Sequence, residues 1–169
     1  MRYYAVVTAA VLSAAIASLA LTTAPAKANP HSMVQPATIG SISGEALLAQ
    51  YPGFAAEYAS YQPSAGALAQ MQQLTGLQLL VLFGSWCHDS EREVPRLLKL
   101  VQQSGVALNT LQLETVNQQK QHPQQLHSQY NLRYTPTIIV LDNGRELGRI
   151  IEKPAKSLAD DLAEIAAKR

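Results

Sequence analysis

The chain has 169 residues, of which 47% are hydrophobic and 15% charged, with a formal net charge of +1. That length suits one ordinary domain, and the balance is that of a globular chain rather than a disordered one. The near-neutral charge and the absence of any basic run exclude the electrostatic footprint of a nucleic-acid binder.

The N-terminus reads as a separate object. Arg2 is followed by an uncharged run from Ala5 to Leu21, and then by Ala26-Lys27-Ala28, small residues in the A-x-A pattern of a cleavage site. Together these read as a signal peptide, residues 1–28, which directs the remainder to an exported, most simply periplasmic, location. The competing reading is an uncut membrane anchor, but the run is short of the about 20 residues a span needs and is diluted by Ala, Ser and Thr. No second apolar span follows it.

Residues 29–63 read as an N-terminal extension. Up to about Ser43 it is a loose leader carrying Pro30, Pro36 and Gly40. A short helix fits Glu45 to Gln50, stopped by Pro52-Gly53. Phe54, Tyr58 and Tyr61 fit one helix face, and a short strand fits equally well.

A domain is expected over residues 64–169. Ala67, Leu68, Met71 and Leu74 recur at helical spacing, and Gly76 follows as a stop. Leu77 to Phe83 is a continuous apolar run, the pattern of a strand buried on both faces. After Cys87, Asp89 or Ser90 can cap a helix that runs to about Ser104, with Val94, Leu97, Leu98 and Val101 as its stripe. Leu108 to Val116 reads as a strand, and a short helix fits after Pro123. Thr137 to Leu141 and Glu146 to Ile151 flank the turn Asp142-Asn143-Gly144 as a hairpin. An amphipathic helix closes the chain from Lys156 to Lys168. The first two strands are joined through a helix and are expected parallel, the last two antiparallel, giving an α/β fold with a central mixed sheet flanked by helices.

There is one cysteine. Cysteines of exported proteins usually pair, so an odd one is an inert buried thiol, a partner in an intermolecular disulfide (a Cys87-linked dimer included), or a reactive site.

Its surroundings carry a resemblance. Trp86-Cys87 follows the first central strand, Pro95 lies eight residues further on, Thr135-Pro136-Thr137 precedes the next-to-last strand, and Asp142-Asn143-Gly144 turns the hairpin. In this order they resemble the thioredoxin superfamily over about Ala67 to Lys168. The string from Trp86 to Pro95 looks like a bacterial subgroup whose second cysteine is replaced by Ser or Thr. The resemblance implies a thioredoxin-like fold and a kink at Pro95. It also implies a cis Pro136 lying against Cys87, with Thr135 offering its backbone to an extended substrate. There are three departures. Ser90 stands in place of the resolving cysteine. Val81 stands where many thioredoxins carry a buried aspartate. Glu152 or a neighbour stands where a glycine often admits the substrate.

The chemistry expected of this site follows from the residues. A helix N-terminus favours the Cys87 thiolate. The Ser90 hydroxyl is expected to donate to that sulfur, a protonated His88 to add positive charge, and Asp89 to oppose it. A thiolate attacks disulfides and forms a mixed disulfide, but Ser90 cannot resolve it. The expectation is therefore a monothiol protein acting through Cys87, with Trp86, His88 and Ser90 around it. Its partners are protein or small-molecule thiols and disulfides, and an external low-molecular-weight thiol serves as possible co-substrate. The alternative is a non-catalytic binding or chaperone-like module. No cofactor or metal is expected: Cys87 and His88 are adjacent, and His122 and His127 sit in a polar, Gln-rich stretch and read as solvated.

Overall fold

The computed structural model describes residues 38–169. The expected signal segment, and with it the start of the extension, lie outside the described residues. Among the described residues no helix is long and apolar enough to cross a membrane.

The elements follow in order as β1 (Gly40–Ser41), α1 (Gly44–Gln50), α2 (Pro52–Ser60), α3 (Ala65–Met71), β2 (Gln78–Phe83), α4 (His88–Ser104), β3 (Thr110–Thr115), α5 (Leu126–Gln129), β4 (Thr137–Asp142), β5 (Arg145–Ile151) and α6 (Leu158–Ala166). Their limits follow local chemistry. The hydroxyls of Ser43, Ser64 and Ser157 each accept a backbone N–H in the first turn of α1, α3 and α6. Pro52 opens α2, where a missing N–H costs nothing. The sequence left helix and strand open for residues 54–61; the structure is helical there. Gly105, at φ 62, ends α4 in the left-handed region that glycine enters freely.

The strands form one mixed sheet in the order β1-β3-β2-β4-β5. β2 runs parallel to β3, and β4 is antiparallel to both β2 and β5. The α/β fold with a mixed sheet flanked by helices is therefore as expected. A register shift between Val140 and Leu141 lets Leu147 and Ile150, three residues apart on β5, both join one core.

The two faces are covered unequally. Leu79, Val81, Phe83, Ile138 and Val140 pack beneath the main helical layer, to which α1, α2, α3, α4 and α6 all contribute buried residues. Leu80, Leu82, Ile139 and Leu141 face the other way, where among the described residues the partly buried Leu126, Tyr130 and Leu132 pack against them. With one thin cover and one thick one, the central strands are still buried on both faces, which is why they read as continuous apolar runs.

The extension is where expectation and structure part. Gly40–Ser41 is not loose leader: it pairs antiparallel with Thr115 and Glu114 at the edge of the sheet. Leu47 and Phe54 are fully buried in the main core, and the Phe54 ring lies 6.0 Å from that of Phe83. The described part of residues 29–63 builds into the same body as residues 64–169. Its helices are short and poor in strong periodicity, so the sequence hid how much apolar surface they bury.

Candidate functional site around Cys87

β2 stops at Phe83, and the chain turns through Gly84-Ser85-Trp86. The Cys87 N–H donates to the Gly84 carbonyl at 3.0 Å and closes the turn. Cys87 is then the N-cap residue of α4, in extended backbone conformation, and its side chain makes no capping bond. The helix starts at His88, so neither Asp89 nor Ser90 caps it, contrary to expectation; both lie inside its first turn. Pro95 sits within α4 and withholds the N–H that would bond to Glu91 four residues back.

The Cys87 thiol is half-buried and unpaired. Its Sγ donates to the Thr135 carbonyl at 3.1 Å. Thr135 is buried, and its bond to Pro136 is cis. The Pro136 carbonyl in turn accepts the N–H of Glu152 at 2.8 Å. Glu152 holds φ at 60°, a left-handed conformation unusual for a residue with a side chain. The loop before β4, the end of β5 and the start of α4 thus meet around the sulfur.

The remaining expected residues divide. Ser90 is fully buried, and its Oγ accepts the Gly84 N–H at 3.4 Å. Its hydrogen bond runs to the turn and not to the Cys87 sulfur, so the expected Ser90 to Cys87 bond is replaced by one that pins the turn. Trp86 leans away from the thiol. Its indole N–H donates to the Val116 carbonyl at 3.4 Å, and its ring lies so close over Gly84 that a Cβ there would sit 2.6 Å from it. His88 is exposed on the first turn of α4. Asp89 pairs with Arg92 at 2.9 Å, and Arg92 also reaches Glu93 at 2.6 Å. The hydrogen bond to Glu93 is the main cause that holds the Arg92 guanidinium more firmly protonated than usual. Arg92 is thus shared between two carboxylates, Asp89 and Glu93.

Two features here were not expected. Gly84 is the seat of the Trp86 ring; the hint was a glycine two residues before a tryptophan at a strand end. Glu93 is buried, and its Oε2 has no hydrogen-bond partner among the described residues. The hint was a carboxylate adjoining Val94 within an apolar stripe. Among the described residues no three His, Cys, Asp or Glu side chains gather as a metal site. The reading of His122 as solvated is corrected: it is 2% exposed and bonded to Glu114.

No protein-family model matches the sequence, and no curated protein matches it. Among solved structures the chain is similar to an HIV epitope-scaffold, at 18% identity and TM-score 0.52, covering 74% of this chain and 82% of that one. It is also similar to Trxlp from Edwardsiella tarda (21% identity, TM-score 0.42, covering 62% and 94%) and to Fasciola hepatica thioredoxin (15%, 0.41, covering 57% and 84%). The five-stranded mixed sheet in the order β1-β3-β2-β4-β5, flanked by helices, is itself that of a thioredoxin-like fold. At such identities the likeness is one of fold, and what the site does is argued from its own residues. In this thioredoxin-like fold the single cysteine sits at the strand-to-helix turn, and Val81, fully buried, lies on the α4 side of β2 as plain core.

Proposed function

We propose that this is an exported, periplasmic monothiol protein that takes part in thiol–disulfide exchange through Cys87. The observation that carries this reading is the setting of the sulfur. It is half-exposed at the N-terminus of a 17-residue helix and is held by a single weak S–H···O bond to Thr135. The free N–H groups of the first turn and the helix dipole favour negative charge there.

The chemistry follows in two balanced steps. The Cys87 thiol loses its proton, and the thiolate attacks one sulfur of a disulfide. The Cys87–substrate S–S bond forms, the original S–S bond breaks, and the second substrate sulfur leaves as thiolate. Once the sulfur is bonded it no longer donates to Thr135, so that carbonyl is freed to accept an N–H from the captured segment. Release needs a second thiolate, from an external thiol or from another cysteine of the substrate. It attacks the mixed disulfide and returns the Cys87 thiolate. Ser90, buried and turned to Gly84, supplies no sulfur for this step. His88 and Trp86 flank Cys87 in sequence, and both are exposed.

The test is a comparison of wild type with Cys87→Ser in the producing cell, on non-reducing gels after rapid thiol blocking. Adducts present only in wild type and removed by reductant are expected. Identical patterns would leave a non-catalytic binding module as the better account. A single adduct at twice the monomer mass would identify the Cys87-linked dimer.

A further inference from the structure

The Gln-rich segment between β3 and α5 contains a chain of three side chains that the exchange chemistry does not use. His122 is buried, with its Nε2 2.8 Å from Glu114 Oε2 on β3. Its Nδ1 accepts the backbone N–H of Gln124 at 3.1 Å. Its own backbone N–H donates to Nδ1 of His127, at 2.9 Å. A ring nitrogen that accepts an N–H carries a lone pair and no proton. Both imidazoles are therefore neutral with the proton on Nε2, and His122 gives that proton's hydrogen bond to Glu114.

We infer that residues 117–129 form an acid-released clasp, closed by neutral His127 and opened by its protonation. Protonation turns His127 Nδ1 from acceptor into donor, facing the His122 N–H it had received. Two donors then oppose each other, and a buried N–H loses its partner. His127 is only partly buried and borders an open cleft of about 520 Å³ with Asn117, Gln121 and Pro123, so protons reach it. The titration proposed is that of His127, whose Nδ1 takes the His122 N–H. The other charged groups facing this segment are Lys120 within it and Arg149, which reaches the Tyr130 carbonyl and is paired with Glu146. The clasp begins one residue beyond Val116, whose carbonyl receives the Trp86 indole.

Nuclear magnetic resonance of the full chain between pH 7.5 and 5 tests this. The imidazole nitrogen shifts of His127 are expected to report the Nε2–H form at pH 7.5. The protection factor of the His122 amide is expected to fall about tenfold or more on acidification. His127→Asn, whose side-chain oxygen accepts without titrating, should keep that protection across the range; His127→Phe should lack it throughout. An Nδ1–H form at pH 7.5, constant protection in wild type, or the same fall in His127→Asn would each overturn the clasp. Should His127→Phe fail to fold, wild type and His127→Asn still decide.

Discussion

The Cys87 thiol donates to the Thr135 carbonyl at 3.1 Å, joining the start of α4 to the loop before β4 across 48 residues of sequence. This one contact brings together the residues on which the account of function rests. It also explains why the sulfur is held in place while it stays half-exposed: its partner is a backbone carbonyl of the loop before β4, and not another side chain that could finish the chemistry.

Gly84 is predicted to be irreplaceable by alanine. The Trp86 ring occupies the space of the missing side chain, at 2.6 Å from an added Cβ. Gly84→Ala must push the indole off its seat and away from the Val116 carbonyl, at about 1–3 kcal/mol of stability. Trp86 is the only tryptophan, so its emission spectrum reports the displacement directly. An unchanged spectrum with unchanged stability would contradict the packing described.

Glu93 is predicted to cost stability in its present form. One carboxylate oxygen is buried without a partner, and Arg92 keeps Asp89 when Glu93 is removed. Glu93→Leu therefore strands no buried cation and should raise stability by about 1–2 kcal/mol. Urea unfolding checks this; a loss instead would mean that the Glu93–Arg92 pair outweighs the unpaired oxygen.

Phe54 is predicted to be a core residue of the whole domain. It is 1% exposed and stacks obliquely between Tyr51 and Phe83. Phe54→Ala should destabilise the protein by about 3–5 kcal/mol in a single cooperative transition followed by circular dichroism. A small loss, or a separate early transition, would return residues 40–61 to the status of an appendage.

Much of this was legible in the sequence because the signals were local. Leu77 to Phe83 announced a doubly buried strand, Asp142-Asn143-Gly144 a hairpin, and Gly105 a helix end. Trp86-Cys87 and Thr135-Pro136 marked the site because a short motif sets their place relative to a strand end. What was missed depends on contacts between distant residues. Nothing near Gly40 shows that Thr115 and Glu114 will pair with it. Nothing near His122 shows that Glu114, eight residues earlier, turns toward it on the thinly covered face. Ser90 was expected to serve the sulfur from sequence spacing alone, but the turn's own N–H at Gly84 takes its hydroxyl.

The central claim is that Cys87 begins thiol–disulfide exchange and Ser90 leaves it unable to finish alone. Intact-mass measurement on wild type and Ser90→Cys, each reacted with one equivalent of a small aromatic disulfide, tests it most directly. Wild type is predicted to hold a stable adduct on Cys87 that disappears only when an external thiol is added. Ser90→Cys is predicted to shed the adduct unaided and end two hydrogens lighter, as an internal disulfide. A wild-type adduct that never forms or resolves by itself, or a Ser90→Cys adduct that persists, would contradict it.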